Sequence, residues 1–94
     1  MDKKKTFYIV VVWYGGIPYM LQYRNVINWC FCNNSIKLFK GIMSAKKGAY
    51  KLSHMFKYDS IKVYSVYEGD GICTDFIRMW ERDESERVVF ELVK

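Results

Sequence analysis

The chain has 94 residues, a formal net charge of +5, 51% hydrophobic and 18% aromatic residues, and one proline. That length allows a single domain spanning 1–94 with one modest core. The apolar content excludes a disordered chain, which would lack the buried surface that offsets chain entropy.

Lys3, Lys4 and Lys5 precede the longest apolar run near the start, residues 7–14. The run is far short of the ~18 residues of a membrane span. It ends at Gly15-Gly16-Ile17-Pro18 without the small-residue cleavage pattern of a signal peptide. Its β-branched and aromatic composition predicts a strand over 6–13. No membrane association is expected, and the expected location is the cytoplasm. Gly15-Gly16 supplies positive-φ positions for a tight hairpin. The return strand is expected over 17–24, with Pro18 near its start marking a sheet edge. Residues 25–32 give no clear signal, and Asn33-Asn34-Ser35 reads as a turn. In 36–40, Ile36 and Leu38 are expected inward and Lys37 outward, as in a short half-buried strand.

Residues 44–57 read as a helix with Ser44 as N-cap. Ala45, Ala49, Leu52 and Phe56 recur at helical spacing and form its apolar face. Gly48 costs about 1 kcal/mol against alanine in mid-helix, which close packing on a sheet would explain. Lys46, Lys47, Tyr50, Lys51, His54 and Lys57 fall on the opposite face, within an arc of roughly 140°. No acid interrupts that face, although like charges one turn apart cost a few tenths of a kcal/mol. The pattern points to an anionic partner, with a merely solvated face as the alternative.

Asp59-Ser60 separates the helix from a strand over 61–67. Glu68-Gly69-Asp70-Gly71 is a turn signal. Residues 72–80 fit a strand or a helix, and the turn before them favours a strand. A charged turn over 82–86 leads to a last strand over 87–93, with Val88, Phe90 and Leu92 on one face. The whole order predicts an α+β fold: a mostly antiparallel sheet of about five to six strands, with one amphipathic helix across one face. The helix stripe and that face would form the core.

Little in the chain suggests catalysis. His54 is the lone histidine and lies among lysines on the polar helix face. No G-x-S-x-G or catalytic-cysteine context is present. Cys30, Cys32 and Cys73 are odd in number and lack a C-x-x-C pair, so free thiols are expected; with His54 they make a zinc set only on paper. Glu68-x-Asp70 and Asp83-Glu84-x-Glu86 are read as turn acids, and the glycine pairs lack P-loop and dinucleotide-binding spacing. The expectation is a protein without enzymatic activity, cofactor or metal.

Charge is segregated instead. Residues 1–62 carry ten lysines and one arginine against two acids, a net +9; residues 63–94 carry four cations against eight acids, a net −4. Pairing of the halves across the sheet would cancel them; otherwise each half offers a binding surface. The first is the basic helix face, where lysines suit phosphates and Tyr50 or His54 could stack on a base. The second is acidic: Glu68, Asp70, Asp75, Glu81, Asp83, Glu84 and Glu86 could imitate a phosphate backbone to a basic groove. The third is the aromatic surplus, Trp13, Tyr14, Tyr19, Tyr23, Trp29, Tyr64, Tyr67 and Trp80, suited to a hetero-complex or a homodimer.

The segment "KLFKGIMSAKKGAYKLSHMFKYDSIKVYSVYEGDG" (37–71), with the hairpin "FYIVVVWYGGIPYMLQYR" before it, resembles small accessory proteins of bacteriophages and mobile elements, a class that includes anti-CRISPR and other anti-defence inhibitors. The resemblance lies in size and element order and carries over no functional residue. It implies a non-enzymatic protein that binds and occludes a host defence protein or nucleoprotein complex. A nucleic-acid-binding module using the 44–57 helix is the alternative.

Overall fold

The computed structural model describes residues 5–22, 26–28 (backbone only), 36–67 and 87–94. The fold is α+β. Its sheet consists of β1 (Thr6–Tyr14), β2 (Ile17–Gln22), β4 (Ser60–Tyr67) and β5 (Val88–Val93), with a three-residue strand, β3 (Val26–Asn28), at one side. Among the described residues every pairing is antiparallel, in the order β3-β2-β1-β4-β5, and one helix, α1 (Ile42–Met55), packs on the sheet. Where five to six strands were expected, the described residues form four of full length and this short ladder. Residues 68–86, with the expected turns and the 72–80 element, lie outside the described residues, as do Asn33-Asn34-Ser35 and the three cysteines.

The glycine hairpin forms as its sequence dictates. Gly15 and Gly16 adopt φ of 62° and 78° between paired Tyr14 and Ile17, the left-handed turn that matches strand twist. The Asp59 carboxylate accepts from the Gly15 N–H at 2.9 Å, and the Asp59 N–H donates to the Trp13 carbonyl at 2.7 Å. One residue therefore ties the hairpin to the entry of β4. Pro18 lies in an inner strand, not at a sheet edge as expected. Yet β3 pairs only with Met20, Leu21 and Gln22, so no described ladder requires the donor that proline lacks.

β1 is buried on both faces. Val10 and Val12 join Leu21, Ile61, Val63 and the helix residues Ala45, Ala49 and Leu52 in one cluster; Ile9 and Val11 join Met20, Ile36, Tyr64 and Val66 in another. The expected single core between helix and sheet is therefore half of what forms. An uninterrupted apolar strand, rather than an alternating one, is the mark of burial on two sides, and Phe7–Tyr14 has that composition. Tyr64, expected among surface aromatics, is fully buried in the second cluster, where its hydroxyl oxygen accepts from Trp13 Nε1 at 3.0 Å. Burial pushes the Tyr64 hydroxyl well above the usual tyrosine range, and Glu91 adds to the rise.

Three other expectations are corrected. Residues 36–40 are not a strand: they make isolated bridges, Ile36 to Gln22 and Phe39 to Tyr8. Beyond Met20, β2 no longer pairs with β1, and this segment takes up the freed backbone groups. Tyr8 and Phe39 exchange two 2.8 Å hydrogen bonds, and the Lys37 N–H donates to the Leu21 carbonyl. Phe39 then packs towards the helix cluster and Leu38 turns outward. In β5, a bulge at Val63/Tyr64 pairs Val63 with Phe90 but Tyr64 with Val88. The extra residue, Val89, sends Val88 to the second cluster while Phe90 and Leu92 stay under the helix. Finally, α1 starts two residues before Ser44. Its N-cap is Gly41, with no side-chain cap, and Ser44 lies inside the first turn.

Candidate functional site: the basic face of the helix

α1 is held on its inner side by Ala45, Ala49 and Leu52, all buried, and by Phe56 at its C-cap, which packs on the same cluster. That anchoring fixes which side chains face outward. Lys47, Tyr50, Lys51 and His54 are exposed, Lys46 is half-buried, and Lys57 is exposed just beyond the helix end.

The structure divides the predicted face into two flanks. On one, the Lys46 ammonium lies 5.1 Å from the Phe90 ring centroid and the Tyr50 ring lies 5.6 Å from it, tilted by 56°. Phe90 comes from β5, so this flank leans on the sheet and part of its cationic character is spent on an aromatic ring. On the other flank, Lys47 and Lys51 stand at the rim of a groove between α1 and the 36–39 segment. His54 lies between the flanks, and no hydrogen bond orients it among the described residues.

The groove has a volume of about 250 Å³, and Leu21, Phe39, Leu52 and Met55 line it with apolar surface. Gly48 forms part of its wall because nothing larger fits easily: a Cβ there would stand 3.1 Å from Phe39 Cζ. The neighbour expected for this glycine was the sheet; the close approach is chiefly to Phe39, with Leu21 of β2 next at 3.8 Å. Lys37 also borders the groove, with its ammonium 5.1 Å from the Phe39 ring centroid.

Own-chain neutralisation of the helix was the alternative to a binding role. Lys62 and Glu91, directly opposite on β4 and β5, form an ion pair at 3.8 Å. Among the described residues, no carboxylate pairs with Lys46, Lys47, Lys51 or Lys57. The first turn of α1 also lacks an acid, which leaves the positive end of its dipole uncompensated by side chains.

The acidic candidates Glu68, Asp70, Asp75, Glu81, Asp83, Glu84 and Glu86 lie outside the described residues, as do Tyr23, Trp29 and Trp80. Of the remaining aromatics, Tyr14 and Tyr67 are exposed while Trp13 and Tyr19 are half-buried. Among the described residues, no three His, Cys, Asp or Glu side chains converge as a metal site, and no helix is long and apolar enough to cross a membrane. The groove was missed in the sequence because the strand read over 36–40 turns Ile36 and Leu38 inward and holds no sign of a contact between Phe39 and the helix. No family model, curated protein or solved structure matches this chain.

Proposed function

We propose that this chain is a small non-catalytic protein that binds nucleic acid within a host nucleoprotein complex and blocks that complex by occlusion. The contact is the outer face of α1, and the observation that carries the reading is that, among the described residues, no carboxylate pairs with Lys46, Lys47, Lys51 or Lys57. Lysines that meet phosphates release the strand's condensed counterions, which gives affinity without sequence preference. A sheet buried on both sides gives α1 a rigid base, and a rigid charged face can cover a strand or a groove that another protein needs. The likeness in size and element order to phage anti-defence proteins supports the blocking role and a bacterial cytoplasmic setting.

Fluorescence anisotropy with a labelled oligonucleotide tests this directly. If about four lysines each meet a phosphate, log K should fall against log salt with a slope near −3 to −4. The double charge reversal Lys47→Glu and Lys51→Glu should abolish binding while leaving the fold intact, since both side chains are exposed and neither is in an ion pair among the described residues. Absence of binding to both single strands and duplex at ~50 mM salt would overturn the proposal.

A further inference from the structure

We infer that the groove beside α1 takes one unpaired base of a single strand, with the flanking phosphates held by Lys47 and Lys51. The inference rests on the nucleic-acid reading above and narrows it from any nucleic acid to an unstacked one. At about 250 Å³ the groove is smaller than the sites that hold drug-sized ligands, and it suits a single ring system. Its lining is apolar and includes the ring of Phe39 and the thioether of Met55, surfaces on which the flat face of a base packs.

Charge complementarity selects the ligand. Lys47 and Lys51 stand one turn apart on the groove rim, about 6 Å along the helix axis, and neither is paired with a carboxylate among the described residues. An apolar slot bordered by unneutralised cations matches a ligand that joins a planar apolar body to negative charges on either side. A nucleotide within a strand has that construction. In duplex the bases are stacked and paired, so a duplex reaches the lysines and leaves the groove empty. Gly48 keeps the wall low enough for entry and lets Phe39 lie against the helix.

Binding should be measured at ~50 mM salt for a labelled 12-nucleotide single strand, the matching duplex, and a single strand of the same length with abasic sugars throughout. The wild-type protein should prefer the normal single strand to the abasic one by roughly tenfold or more, the range of a stacked base. The duplex should behave like the abasic strand. Ser44→Trp, at an exposed groove-lining position, should erase that preference while retaining the salt-dependent residue of affinity. Equal affinity for all three probes would overturn the base site and leave the broader proposal standing; failure of every probe to bind would remove both. The abasic comparison uses the wild-type protein, so it decides the matter even if Ser44→Trp folds poorly. A folded Ser44→Trp that keeps the full preference would place the base elsewhere and overturn the assignment.

Discussion

Tyr64→Phe probes the second core and predicts a stability difference that changes with pH. At neutral pH the substitution deprives Trp13 Nε1 of the oxygen that accepts its hydrogen bond at 3.0 Å. A donor left without an acceptor in a partly buried site costs about 1–2 kcal/mol, or a fall in Tm of roughly 4–15 °C for a domain of this size. Above pH 10 a second effect appears in the wild type alone. Burial raises the folded-state pKa of Tyr64 above its ordinary value of 10.0, so the unfolded chain loses this proton first. The unfolded state then binds fewer protons than the native state, and stability falls as pH rises, by about 1.4 kcal/mol for each pH unit between the two pKa values. The phenylalanine variant lacks this loss, while the other tyrosines contribute equally to both proteins. Urea denaturation of the pair at pH 7, 9 and 11 should therefore show a gap that is constant to pH 9 and about 1 kcal/mol smaller, or reversed, at pH 11. A gap that does not move between pH 7 and 11 would refute the claim that the hydroxyl is held protonated by its burial.

Asp59→Ala should lower Tm by roughly 3–8 °C, because the Gly15 N–H loses its carboxylate acceptor at 2.9 Å and the bond contributes about 1 kcal/mol; Asp59→Asn, which keeps an acceptor, should lose less. Leu52→Ala should cost 2–5 kcal/mol, a large share of the about 5–14 kcal/mol available to a chain of this length. Hydrogen exchange should then show faster opening throughout α1, and unchanged protection of the helix amides would contradict its anchoring through Leu52.

Much of this fold was legible in residue patterns with one strong local cause. The Gly15-Gly16 hairpin, β1, β4 and the inner stripe of α1 follow from positive-φ demand, β-branched composition and helical period. The errors came where a residue's side depends on distant chain. Phe39 turns inward because its backbone pairs with Tyr8 at a place β2 has vacated, and a strand pattern read over 36–40 cannot contain that fact. Val88 departs from Phe90 because of one bulged residue. The two-sided core left a visible signal in the unbroken apolar run of β1, which lacks the alternation of a strand buried on one face. The basic face itself was readable, since it needs only period and charge. Its division into two flanks was not, because Phe90 and Phe39, which define them, come from elements before and after the helix.

The helix that carries the charges is a weak one by local measures. It has no side-chain cap, no acid in its first turn, a glycine at its centre and cations one turn apart at Lys47 and Lys51. The glycine N-cap costs a few tenths of a kcal/mol against a side-chain cap and the central glycine about 1 kcal/mol against alanine, and a helix of this length is marginal in water even with a favourable sequence. Its order therefore derives from Ala45, Ala49 and Leu52 pressed onto β1 and β4. This division of labour frees the outer residues from any duty to stabilise the helix. Side chains chosen for stability alone would interleave glutamates with the lysines. That departure falls at the groove: Lys47 and Lys51, with no carboxylate partner among the described residues, stand on its rim, where Gly48 makes room for Phe39. Under the proposed base site, the loss of stability is the cost of keeping that charge for a ligand.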